Sequence, residues 1–345
     1  MESFQHQFQQ LDGPAEQLRW LTQHRFLGVL DLLVERGLID SGVRRLAAPL
    51  APRRGWVSPA WLAEERRAMQ GLTAACRCLV LKGGLLAYLV YPAPEQRWRS
   101  DLDVLVAPDE LPAARAALRA LGFGPMFDVA GGTPIDQESW IFRGSAGRFV
   151  LDLHWAMRKH PLLRACLNFE EQWRASVELS GLGPGMRGQG HVHALLNSAL
   201  HWFDGIFGEE PALAWLLDQD LLWRGMSEHQ YTALFDLARD RGVAGLLAES
   251  LRLSRDFLDT PVDGSALEQL CRNGCGAPAT RLIALRNRPV PAYLYAMWSE
   301  PGPRAKLHRL RHSIFPPPAH LHQRFPEGSR WGLVGLWWRR IRRRL

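Results

Sequence analysis

Three aspartates carry the chemistry this sequence could perform. Asp101 and Asp103 stand one residue apart in Asp101-Leu-Asp-Val-Leu-Val106, where apolar and β-branched residues follow the acids as in a strand. Alternate side chains of a strand share a face, so Asp101 and Asp103 point one way while Leu102 and Val104 point the other. A second strand, Arg148 to Trp155, places Val150, Asp152 and His154 on a common face, which supplies a third acid. Crowding like charges is costly unless a cation neutralises them, and carboxylate oxygens suit a hard ion. Magnesium is the expected ion, with manganese the alternative. Two such ions roughly 4 Å apart can activate an attacking oxygen and stabilise a leaving one in phosphoryl transfer. Asp101 and Asp103 are expected to hold both ions, and Asp152 to help activate the acceptor.

These residues need elements to position them. Arg77-Cys-Leu-Val-Leu81 is a short apolar run that stops at Lys82-Gly83-Gly84, and a helix is predicted from Gly84 to Tyr91, ended by Pro92 and Pro94. Backbone amides in the first turn of such a helix bind phosphate oxygens, and glycine permits close approach. Lys82, Gly83 and Gly84 are therefore the candidate triphosphate cradle, with Arg97 and Arg99 adding positive charge from the following loop. Arginines in such a loop are expected to face solvent. Asp109 is expected to cap a helix carrying Leu111, Ala114, Leu118 and Leu121 on one face, ended by Gly122. Trp140–Arg143 and Arg148–Trp155 flank Gly-Ser-Ala-Gly, a hairpin signal.

Helical spacing dominates the rest. Residues 1 to about 50 are predicted all-helical, Trp61 to about Ala75 is a further helix, and from Pro161 onward the pattern is helical with no further strand. His193, Asn197, His201 and Asp204 form a polar stripe opposite Leu195, Leu196, Ala199 and Phe203, expected to be solvated except at His201. His154 is expected to be satisfied by a neighbouring acid. The resulting division is a helical segment 1–65, a core 66–160, a helical domain 161–300 and a basic Pro/Trp/Arg-rich tail 301–345.

Leu81-Lys-Gly-Gly84, Tyr91-Pro, Arg97 and Asp101-Leu-Asp-Val-Leu-Val106 resemble the signature of a bacterial nucleotidyltransferase family of the DNA polymerase β-like superfamily. The resemblance covers roughly Leu72 to Trp155 and extends loosely to His201 and Asp218, which fall where such proteins often carry histidine and aspartate. It implies an α+β fold, a mixed sheet with flanking helices, here with helical segments added at both ends. It also implies magnesium and the transfer of a nucleotidyl group from a nucleoside triphosphate, ATP being the expected donor, to a small-molecule, peptide or protein acceptor. Arg97 is preferred to Arg99 as a nucleotide contact, and His201 and Asp218 as pocket residues, on this resemblance, while His154 joins them as a pocket candidate from its place on the face of Asp152. Position 84 departs from it, being Gly where many members carry Ser. The alternatives are a non-catalytic nucleotide-binding regulator on the same fold and an RNA-binding component acting through the tail.

Composition bounds these readings. A chain of 345 residues with 47% apolar content can bury a large core. The net charge of +7 is unevenly placed: from Arg304 onward eleven Lys or Arg face the single acid Glu327, giving +10, while residues 1–303 carry 31 basic and 34 acidic residues, giving −3. Basicity thus belongs to the tail, where residues 331–345 could meet nucleic acid or an anionic membrane, although packing of their Trp residues on the body is preferred. The start MESFQHQFQQLDG lacks the basic and apolar stretches of a secretory leader, so a cytoplasmic protein is expected. The five cysteines, Cys76, Cys78, Cys166, Cys271 and Cys275, are read as buried free thiols rather than disulfides, and Cys271 and Cys275 lack partners at zinc spacing.

Overall fold

Strand-forming runs from four parts of the chain combine into one mixed, seven-stranded sheet in a computed structural model, which describes residues 2–51, 56–126, 137–144, 147–157, 160–204, 213–285 and 288–314. Residues 127–136 and the tail 331–345 lie outside the described residues. Four short helices open the chain: α1 (Phe4–Gln9), α2 (Pro14–Gln23), α3 (Leu30–Glu35) and α4 (Ser41–Ala47). Asp40 begins α4 by accepting the N–H groups of Gly42 and Val43. Next come α5 (Pro59–Ala75), β1 (Cys78–Val80), α6 (Lys82–Leu89), β2 (Leu102–Val106) and α7 (Leu111–Ala120). The hairpin is β4 (Gln137–Gly144) and β5 (Gly147–His154), preceded by the two-residue β3 (Gly124–Pro125).

Two further strands, β6 (Val177–Glu178) and β7 (Arg187–Gly188), follow α8 (Pro161–Arg164) and α9 (Phe169–Arg174). They correct the expectation of no strand beyond Pro161: β7 pairs in parallel with β1, so the sheet continues past residue 160. Strands of two residues carry no alternation that a sequence could display. The helical part comprises α10 (His191–Asp204), α11 (Ala214–Arg224), α12 (Glu228–Asp240), α13 (Ala244–Leu258), α14 (Gly264–Gly274), α15 (Arg281–Leu285), α16 (Pro289–Trp298) and α17 (Gly302–Ile314).

The sheet order is β3-β4-β5-β2-β1-β7-β6. β2 is central, antiparallel to β1 and parallel to β5, and all five of its residues are buried. Its apolar face is explained by burial between layers, which a strand rich in Val and Leu favours. α7 buries Leu111, Ala114 and Leu118 as the spacing requires, but its first turn follows Glu110, not Asp109, and has no side-chain cap. The N-terminal helices pack onto the helical part: Phe4 meets Phe26 and Trp20 edge-on at 5.4 and 5.0 Å and reaches Phe257 of α13 at 5.7 Å. Cys76, Cys78 and Cys166 are free and at least partly buried, whereas Cys271 and Cys275 are exposed, which corrects the expectation of burial for that pair.

Candidate active site

A cleft of about 240 Å³ opens between the β1–α6 and β2 ends of the sheet and the facing helices α10 and α11. Lys82, Gly83, Arg97, Asp101 and Asp103 line one side, and Asn197, His201, Trp215 and Asp218 the other. Parallel pairing sets Asp103 of β2 directly beside Asp152 of β5, and Leu105 beside His154. One ligand atom each from Asp103, Asp152 and His154 lie within 4.8 Å of one another. Asp101 sits at the cleft wall just before β2.

The electrostatics separate the two acids of Asp101-Leu-Asp103. Burial pushes the Asp101 carboxyl up to about 6, reinforced by the charges of Asp103 and Asp152. Asp103 is buried too, which opposes its charge, but Lys82 and His154 outweigh that and hold it well below the usual carboxylate range. The Lys82 ammonium donates to Asp103 Oδ1 at 2.6 Å, and His154 Nε2 lies 2.7 Å from the same oxygen. Burial, with Lys82 adding to it, lowers the His154 pKa despite Asp103. His154 is thus satisfied by an acid as expected, the partner being Asp103 on the neighbouring strand.

Asp152 is fixed from its other flank: Ser139 Oγ donates to Oδ1 at 2.6 Å and Gln137 Nε2 to Oδ2 at 3.2 Å. Sequence reasoning missed both, although alternation along β4 puts Gln137 and Ser139 on the face of Asp152 and His154 once the hairpin register is known.

Lys82 turns the chain out of β1 with φ +48, a left-handed backbone uncommon for a residue with a side chain. The turn starts α6 at Lys82, two residues earlier than predicted, with no side-chain cap from Leu81. Its first-turn N–H groups therefore need another acceptor. Gly83 lines the cleft, but Gly84 is buried against the core, where an added Cβ would lie 2.8 Å from Leu102 Cδ1. Glycine at 84 thus serves close packing of α6 on β2, which explains the departure from Ser.

Arg97 and Arg99 are buried rather than solvent-facing. Arg97 grips Asp218 with Nε and Nη2, each bond 2.7 Å, and Tyr91 donates to the same carboxylate at 2.7 Å. Burial opposes the Arg97 charge, and Asp218 overrides it to raise the pKa. Arg99 is paired in the same way with the fully buried Glu65 of α5, at 3.0 and 2.6 Å, and Tyr88 also donates to Glu65. Glu65 had no sequence signal, being one acid on an ordinary helix. Two residues of the α10 stripe, His193 and Asn197, are likewise buried rather than solvated, and Asn197 donates to Gln189 at 2.9 Å. His201 lies against Trp215, ring centroids 4.6 Å apart.

Asp103, Asp152 and His154 together form a group suited to a cation, the sole such group of three among the described residues. No curated protein matches the chain. A family model described as an uncharacterised nucleotidyltransferase matches residues 60–259, a span that takes in α5, the sheet, the carboxylates and both walls of the cleft. With more than half its length matched and an Asp-Asp-His group fit for nucleotidyl transfer, the chain belongs to that nucleotidyltransferase family.

Proposed function

We propose that the protein is a magnesium-dependent nucleotidyltransferase with the sheet of the polymerase β-like superfamily, moving a nucleotidyl group from a nucleoside triphosphate to a hydroxyl-type acceptor. The observation that carries this reading is the register of Asp103 against Asp152 on adjacent parallel strands, with Asp103 lining the same cleft as Lys82 and Gly83 at the uncapped start of α6. The donor set fits a divalent cation, since Asp101 is pushed up to about 6 by burial and by its two acidic neighbours, a strain that a bound cation relieves. Asp101, Asp103 and Asp152 would hold the metal, which when bound supplies charge neutralisation at the phosphates and the leaving oxygen.

The protein's own side chains do the remainder. The first-turn N–H groups at Gly83 hold phosphate oxygens. Lys82, bonded to Asp103 at 2.6 Å, would be free to bond a phosphate oxygen if that carboxylate held the cation. Ser139 and Gln137 fix the Asp152 carboxylate, which positions it to take up the acceptor proton. Arg97, held by Asp218, sets the shape of the wall and lends positive charge without being free to move. His201 and Trp215, their rings tilted by 46°, give the opposite wall an aromatic surface against which a base can pack. ATP is the donor we expect.

The test is pyrophosphate release from each of the four nucleoside triphosphates with magnesium or manganese and a cell-extract acceptor pool. Release that needs metal and disappears in Asp101→Ala/Asp103→Ala supports the reading. Metal-dependent nucleotide binding with no release under any acceptor would replace it with a nucleotide-sensing role.

A further inference from the structure

Seven large hydrophobic side chains are well exposed among the described residues, and five of them, Val290, Leu294, Trp298, Leu307 and Leu310, fall on the two consecutive helices α16 and α17. Scattered exposed apolar residues are ordinary, but a cluster on one helical hairpin is a surface that favours a partner. On α16 the spacing is four and four, so Val290, Leu294 and Trp298 form one stripe, exposed 59%, 58% and 69%. Trp298 is braced by stacking on Tyr295, whose hydroxyl donates to Pro278 O at 2.7 Å, so it is presented from a fixed base.

Charge identifies the partner. From Arg288 to Ile314 there are five basic residues and one acid, Glu300. That acid is buried and matched by Arg309 at 2.5 Å, with Arg164 at 3.8 Å, so it contributes no exposed negative charge. Arg304, Leu307 and Arg311 lie three and four apart on α17, which places exposed cationic and apolar side chains on one face. Exposed Val, Leu and Trp side chains on α16 next in the chain to exposed Arg304, Leu307 and Arg311 on α17 match an interface that is apolar below and anionic above. No helix among the described residues is long and apolar enough to cross a bilayer. The sequence beyond α17 repeats the combination in Trp331-Gly-Leu-Val-Gly-Leu-Trp-Trp338 followed by Arg339 to Arg344. We infer that the α16–α17 hairpin is a docking surface for anionic lipid, seating the protein on a membrane face without insertion across it. This surface is separate from the carboxylate cleft and stands whether or not the transferase reading holds.

The experiment is co-sedimentation of the full chain with vesicles of phosphatidylcholine alone or with about one-third phosphatidylserine, at low and high salt. The full chain should bind the anionic vesicles, with binding weakened by salt. Leu294→Glu/Trp298→Glu/Leu307→Glu should lose at least roughly tenfold in affinity while keeping its unfolding midpoint, because all three side chains are exposed. Arg304→Gln/Lys306→Gln/Arg311→Gln should lose a similar factor and serves as the second probe if the first variant folds poorly. Four results would each overturn the inference: no binding of the full chain, unchanged binding in both variants, loss only when residues 331–345 are removed, or salt-sensitive binding of an RNA oligomer with vesicles left unbound. A switch from dimer to monomer in the Glu variant, without change at vesicles, would assign the face to a second copy and also overturn it.

Discussion

Asp103 and Asp218 are both buried carboxylates at one cleft, yet they are held in opposite ways. Asp218 is matched: Arg97 binds both its oxygens and Tyr91 caps one of them. Asp103 has Lys82 and His154, but it shares them with Asp101 and Asp152, and in that corner the three acids outnumber the two permanent cations, Lys82 and Arg25. A buried acid whose charge is balanced within the protein maintains structure, because removing it strands its partner. A group of acids in excess of their cations is unfavourable to folding and makes sense as a receiver of positive charge. The Glu65–Arg99 pair belongs to the first kind and the Asp101–Asp103–Asp152 group to the second.

The largest effect expected from this contrast is on turnover. Asp103→Asn should lower pyrophosphate release by about a thousandfold or more, on the scale of losing a charge-stabilising group in a closed site, while its cost in stability, from weakened bonds to Lys82 and His154, stays below that of losing a matched acid. Steady-state release and thermal unfolding on the same preparation check both halves. A large loss of stability would place Asp103 with the matched acids. The converse variant, Asp218→Ala, leaves the Arg97 guanidinium buried without a counter-charge and should cost about 3–5 kcal/mol of folding stability. Urea unfolding measures it. A cost below about 1 kcal/mol with turnover abolished would make Asp218 a member of the working group and dissolve the contrast.

A similar contrast governs what the sequence reveals. Asp152 and His154 were legible on a shared face because strand alternation is a local rule, and the structure adds Asp103 to them, whereas Asp101 falls just before β2 and outside that group of three. The matched pairs were not, because Glu65 and Arg99, or Arg97 and Asp218, are brought together by tertiary packing and leave no period in either neighbourhood. Loop arginines read as solvated for that reason. The α10 stripe misled for a related one: a polar helix face looks the same whether it meets water or a polar cleft lined by Gln189. Gly84, read as a phosphate contact through its amide, is also a place where an added Cβ would lie 2.8 Å from Leu102 Cδ1, a packing constraint that a glycine in a sequence does not announce.

That last point gives a smaller, structural prediction. Gly84→Ser restores the side chain common in similar proteins, but its Cβ would meet Leu102 Cδ1 at 2.8 Å and Val80 Cγ1 at 3.1 Å. Overpacking of this kind costs typically about 1–3 kcal/mol, so the variant should unfold at lower denaturant without gaining nucleotide affinity. Tighter nucleotide binding with unchanged stability would show that α6 can tilt to use the hydroxyl.

The smallest effect concerns a histidine away from the cleft and asks whether burial alone, without excess like charge, leaves a pH signature. His160 begins α8, its Nδ1 accepting the Leu162 N–H at 3.3 Å, a role a protonated ring nitrogen cannot fill. Burial lowers its pKa to about 4, with the Arg309 charge adding to the effect. Between the ordinary histidine value and 4 the unfolded chain therefore carries a proton that the folded one lacks. Stability is full above that ordinary value and declines as the pH falls through the window, reaching a plateau once both forms are protonated. After allowance for partial solvent screening, the folding equilibrium should drop by roughly tenfold by pH 5. His160→Asn keeps a capping side chain without the titration, so unfolding midpoints measured from neutral to acid pH should fall less steeply in the variant. Parallel slopes in the two proteins would assign the acid sensitivity to the carboxylate network instead, and burial at His160 would then carry no measurable linkage.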